Sequence, residues 1–148
     1  MPRSVGRLFP LALIALVAGC GDLTGPGDLH AARRLWESQN ISSYEYVLRR
    51  LCFCGGPEGR VIVTVVDDAV VSVVEEGSRA PVQNVGYPTI DDLFSVAEIA
   101  HENDRLRAVE YDQDKGYPSL VDICCLEDDS GVRYVITDLQ PVVVAALD

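Results

Sequence analysis

Residues 60–75 read RVIVTVVDDAVVSVVE, two β-branched runs on either side of Asp67-Asp68-Ala69. Val and Ile lose side-chain freedom in a helix and pack well on a pleated surface, so the stretch predicts a hairpin with strands at 60–66 and 70–75. Both runs are almost continuously apolar rather than strictly alternating. That places them centrally in a sheet, or covered in part on both faces. Ala69 stands where a tight hairpin turn favours glycine. Alanine does not readily take positive φ, so a loop longer than two residues is expected.

Helical and extended periods alternate along the rest of the chain. Asp28 is placed to cap a helix over 29–39, with Leu29, Ala32, Leu35 and Trp36 on one face and Arg33, Arg34 and Glu37 on the other. A long strand is expected over 42–54. Tyr44, Tyr46 and Leu48 share one of its faces, with Cys52 and Cys54 further along, and Gly55-Gly56-Pro57-Glu58-Gly59 ends it. After an irregular connection at 77–88, Thr89 opens a second helix. Asp91 and Asp92 suit its positive end, and Ile90, Leu93, Phe94, Ala97 and Ala100 form its apolar stripe to about His101 or Asn103. Three more strands follow at 107–111, 119–126 and 132–139, with turns at 112–116 and 127–131. The apolar 142–147 extends the last strand or packs as a tail. The expected fold is therefore α+β: one domain, an antiparallel sheet of about six strands with two helices on one face, order α-β-β-β-α-β-β-β. The order hints at a repeated unit of about 60 residues, although the two halves share little sequence.

Composition narrows the function classes. At 148 residues the chain suits one domain, and its 48% apolar content is too high for a disordered one. The net charge is −11, and residues 1–19 contribute Arg3 and Arg7 without any acid, so removing them takes it to −13. Such a balance excludes a nucleic-acid binder and argues against attraction to anionic headgroups.

Residues 1–19 have the form of a secretory signal peptide: a basic start, then an apolar run at 8–17 broken only by Pro10, too short for a membrane span. Val17-Ala18-Gly19-Cys20 resembles the lipobox of bacterial lipoproteins. The resemblance implies diacylglyceryl transfer to Cys20, cleavage before it, and acylation of the new terminus. Two or more acyl chains make a stable anchor, at about 0.8 kcal/mol per buried CH₂. The alternative is an ordinary signal peptide with a chance cysteine. Residues 20–28, rich in Gly and Pro, read as a flexible tether ahead of a domain at 29–148. Gly21, rather than aspartate, follows the cysteine, and by resemblance this leans toward the outer membrane, facing the periplasm.

Trp36, Tyr44-x-Tyr46, Cys52-Phe53-Cys54, Asp92-Leu93-Phe94, Tyr111-Asp112-x-x-x-Gly116-Tyr117-Pro118 and Asp128-Asp129 together resemble the bacterial lipoprotein family catalogued as domain-of-unknown-function family 6174, over roughly residues 31–139. The resemblance implies secretion and a compact α+β domain and carries no activity. Cys124-Cys125 departs from its pattern.

Candidate chemistry is sparse. Asp112-Gln113-Asp114-Lys115-Gly116 starts like a calcium loop, but it lacks the later acids and carries Lys115, so a plain turn is favoured. Glu127-Asp128-Asp129 fits a solvated turn better than a cation site. His30 and His101 belong to no catalytic or zinc motif. Asn40-Ile41-Ser42 matches a glycosylation sequon that a bacterial lipoprotein would not use. Cys52, Cys54, Cys124 and Cys125 are too tightly spaced for one tetrahedral metal and read as disulfide candidates in an exported protein. No catalytic residue, metal or cofactor is assigned.

The expectation is a lipid-anchored envelope protein, non-enzymatic, that binds or helps assemble another envelope protein. Two alternatives stay open. One is an inhibitor-like module that offers an exposed face around Tyr44, Tyr46, Tyr111 or Tyr117 to an envelope hydrolase. The other is a thiol–disulfide protein using Cys52 and Cys54.

Overall fold

The structure is a computed structural model and describes residues 25–52, 59–83, 86–124 and 131–143. A short 3₁₀ turn, Pro26–Asp28, leads into α1 (Leu29–Ser38). Then come β1 (Tyr44–Leu51), β2 (Arg60–Val66), β3 (Ala69–Glu75), α2 (Ile90–Glu102), β4 (Leu106–Tyr111), β5 (Pro118–Ile123) and β6 (Val132–Pro141). The expected order and class hold.

All six strands form one antiparallel sheet in the order β3-β2-β1-β6-β5-β4. Each α-β-β-β unit lays down a meander, and both meanders run third-second-first across the sheet. The first and last strands, β1 and β6, join them at the centre. Leu29, Ala32 and Trp36 of α1 and Leu93, Phe94 and Ala97 of α2 share one core with alternate residues of the strands, so both helices cover the same face. On β1 the core side is Tyr44, Tyr46 and Leu48, and on β2 it is Val61, Val63 and Val65.

Three local expectations need correction. The hairpin loop is two residues, not longer. Val66 pairs with Ala69, and the positive φ falls on Asp67 (48°) and Asp68 (61°). Aspartate tolerates this region, and Ala69 sits in the strand where no strain arises. Asp28 occupies the cap position of α1 in a helical conformation and makes no side-chain capping bond. Strand β1 stops at Leu51 and β5 at Ile123, so Cys52 and Cys124 lie outside the ladder and strand alternation does not set their faces.

The α2 start is fully capped. Thr89 Oγ1 accepts from Asp92 N at 3.1 Å, and Asp92 Oδ2 accepts from Thr89 N at 2.8 Å, a reciprocal capping box. Its end is a left-handed closure at Asp104 (φ 54°), with Arg105 N bonded to Ala100 O at 2.8 Å. β6 carries a bulge opposite Glu45–Val47, where Asp138 takes φ 56°. The extra residue switches faces, so Ile136 and Leu139, three apart, both point into the core.

Gly116 fixes where α1 lies. Its φ is +82°, and a Cβ there would meet Leu35 Cβ and Trp36 N at 2.9 Å, with Ala32 O closer still. The β4–β5 turn and the α1 backbone touch because this residue has no side chain. Gly116→Ala is therefore expected to cost about 2–4 kcal/mol, whereas Gly77→Ala, with open space around it, should stay within about 0.5 kcal/mol. Urea midpoints of the two variants check this.

Candidate functional site

The aromatic residues singled out in the sequence, among the described residues, gather in one place, and that place is the core. Trp36 meets Tyr44 edge-on at 5.4 Å between ring centroids, and Tyr117 at 6.4 Å. Phe94 stacks on Tyr111 at 6.1 Å, and the Arg33 guanidinium lies 5.3 Å over the Phe94 ring. Arg33 also reaches Glu98 at 3.4 Å, which ties α1 to α2. Tyr44 Oη accepts from Ile90 N at 2.9 Å, and the Tyr46 hydroxyl donates to Pro88 O. Tyr44, Tyr46, Tyr111 and Tyr117 are all buried, so the exposed tyrosine patch that would mark an inhibitor surface is absent at these positions.

The Asp112–Gly116 segment is a turn. Asp112 Oδ1 accepts from Asp114 N at 3.1 Å and Lys115 N at 2.7 Å, and Gly116 N donates to Asp112 O at 2.8 Å. The carboxylate that would face a cation is spent on the loop's own N–H groups. His30 and His101 are both exposed and far apart in the chain. Among the described residues no group of three His, Cys, Asp or Glu is placed to hold a metal. Nor is any helix among them long and apolar enough to cross a membrane.

Burial raises the tyrosine pKa values. Tyr111 and Tyr117 are pushed up to about 12. Desolvation is the largest cause for both, followed by the charge of Asp28 at Tyr111 and of Asp112 at Tyr117. Tyr44, Tyr46 and Tyr134 are also raised, again chiefly by desolvation. The Tyr111 hydroxyl is buried with no hydrogen-bond partner among the described residues.

Two other regions carry polar chemistry. The first is the helix-free face of the sheet. There Val47 and Ile62, paired across β1 and β2, are buried although no helix covers them. Arg60 strides over β1. Its Nε is 3.1 Å from Glu76 Oε2, and its other end reaches Thr137 Oγ1 at 3.1 Å and Asp138 Oδ2 at 3.3 Å on β6. An open groove of about 360 Å³ lies here, lined by Glu45, Val47, Ile62, Glu76, Arg79 and Asp138 among others. The sequence reading missed this face. The alternation Arg60, Ile62, Thr64 on β2 was visible, but the bulge that brings Asp138 within reach was not.

The second region is the end of the sheet where β1 and β5 leave it. Leu51 and Asp122 both pair with Arg133 of β6, from opposite sides, and Arg133 forms an ion pair with the buried Asp122 carboxylate. Cys52 follows β1 and Cys124 follows β5. Both are partly buried and disulfide-bonded. Cys54, Phe53, Cys125, Glu127, Asp128 and Asp129 lie outside the described residues, as do Val17, Ala18, Gly19 and Cys20.

The buried tyrosines make an alkaline prediction. Their folded pKa values lie above the unfolded value near 10, so the folded state holds more protons at high pH. Stability is complete below about pH 10 and falls as pH rises toward 12 and beyond. The 295 nm absorbance of these five tyrosines should rise together with loss of the far-UV helix signal. Five independent ionisations in a still-folded chain would contradict it.

No curated protein and no solved structure matches the chain. Residues 28–141, which span both helices and all six strands, match the family of unknown function DUF6174, and the chain belongs to that family.

Proposed function

We propose that this chain is a lipid-anchored cell-envelope protein whose domain is a non-enzymatic binding or assembly module. One observation supports this above the others. Apart from Cys52, the motif positions within the described residues that could have carried a site are taken up: Trp36, Tyr44, Tyr46, Leu93, Phe94, Tyr111, Gly116 and Tyr117 by packing, and Asp92 and Asp112 by a cap and a turn. A constellation of this kind builds a scaffold, and the lipobox-like Val17-Ala18-Gly19-Cys20 supplies its address. Partner recognition then falls to surface residues, as for an interface of modest polarity. Intact mass of the protein from the membrane fraction should begin at Cys20 with acyl groups attached. Cys20→Ser should be soluble or unprocessed. Normal cleavage and membrane retention of that variant would refute the anchor.

We also propose that the cysteines staple β1 to β5. Both strands run antiparallel to β6 and so leave the sheet at the same end, two strands apart. Strands two apart in a sheet lie about 9.6 Å from one another, against the usual 4.4–6.8 Å between disulfide Cα atoms, so a direct Cys52–Cys124 bond needs the chain to converge beyond the strand ends. Cys54 and Cys125 offer the other pairings, local or crosswise. The crosswise arrangement avoids the strained vicinal Cys124–Cys125 ring. It closes a loop of about 70 residues and contributes about 4 kcal/mol in the chain-entropy model. Non-reducing peptide mapping of envelope-derived protein should recover a peptide joining Cys52 or Cys54 to Cys124 or Cys125. Only Cys52–Cys54 linkage, or four free thiols, would favour the thiol–disulfide reading instead.

A further inference from the structure

The chain enters the domain at a fixed point. Gly25 N donates to Val109 O of β4 at 3.0 Å, and Asp28 N closes the 3₁₀ turn onto Gly25 O at 3.2 Å. Leu29, the next residue, is 4% exposed and sits in the core. The segment 25–28, which composition assigned to a loose tether, is therefore docked on β4, an edge strand of the sheet. The opposite edge, β3, lies five strand spacings away, about 24 Å.

Reach decides what this docking means, and the argument rests on the anchor reading above. From Cys20 to Gly25 there are five residue steps, at most about 18 Å fully extended and about 12 Å as a flexible chain. The tether is shorter than the sheet is wide. A domain standing with β3 against the bilayer would hold Gly25 beyond that reach. A domain lying flat would press a broad face of an acidic protein onto the headgroups, at a net charge of −13 once residues 1–19 are gone, which anionic lipid opposes. We infer that the lipid surface is the neighbour of the β4 edge. The domain stands on that edge and holds the β3 edge, with the Glu76 and Arg79 side of the groove, toward the aqueous compartment. Partners then approach from the β3 side.

The test uses the full lipidated protein, purified from the envelope and added to phosphatidylcholine vesicles with nitroxide-labelled headgroups. A fluorophore is introduced through a noncanonical amino acid at Glu110 on β4 or at Val71 on β3, both exposed. Quenching should be severalfold stronger at 110 than at 71. Inserting about twenty Gly/Ser residues between Thr24 and Gly25, with a reach of about 25 Å, should remove the difference. Equal quenching with the native tether, or a difference that survives the insertion, overturns the orientation while leaving the anchor intact. Failure of the protein to stay with the vesicles overturns the anchor itself, and the orientation with it.

Discussion

Two tyrosine hydroxyls at the middle of the sheet hold the fold in register. Tyr44 and Tyr46 are almost wholly buried on the helix side of β1. A hydroxyl there destabilises the core unless it is bonded, by roughly 1–3 kcal/mol. The backbone groups still free to serve are those at a helix start, where the first N–H groups have no partner within the helix. Ile90 N and Pro88 O meet the two hydroxyls, one on each side of the cap residue Thr89. The start of α2 is thereby pinned to the central strand. Leu93 and Phe94 then fall onto the sheet, Phe94 reaches Tyr111, and Arg33 brings α1 against both Phe94 and Glu98.

Three of the motifs have a place in that chain of contacts. Tyr-x-Tyr anchors α2. Asp-Leu-Phe combines the second half of the capping box with two core residues. The Tyr-Asp-x-x-x-Gly-Tyr-Pro segment closes a turn through the Asp112 carboxylate, so that Gly116 can touch the α1 backbone and Tyr117 can face Trp36. Asp91 shows the cost of crowding acids at this corner. Desolvation, then the nearby Asp68 charge, raises its pKa even though the helix dipole favours its ionised form. Packing thus accounts for the spacing of these three motifs.

The elements were legible because hydrophobic period reports which face is buried. The hairpin at 60–75, the Thr89 cap and the α1 and α2 stripes all follow from it. Strand ends were less legible. Cys52 and Cys124 continue an apolar pattern past the last ladder pair, and period alone cannot tell a strand residue from a buried residue beyond it. Face switches were invisible as well. Ile136 and Leu139 share the core only through a bulge, and Asp138 carries no mark that distinguishes it from an ordinary polar strand residue. The same bulge places Asp138 under Arg60, so the groove on the helix-free face could not be read in advance. Apolar density allowed β3 either a central place or partial cover on both faces. It is an edge strand, and its outer side is partly covered when the chain doubles back to pair Val74 with Pro81, a residue that cannot extend the ladder further.

The strand order constrains how such a domain can fold. β1 sits between β2 and β6, so the first strand is only half paired until the last one arrives, about ninety residues later. Closing so long a loop is entropically slow, and until then β1 presents Tyr44, Tyr46 and Val47 on an open edge. Helix α2 relieves part of this, because its start binds the two tyrosines and lies between the two halves in sequence. It can dock on the first meander and hold the second close to its place. The β1–β6 pair then forms at raised effective concentration.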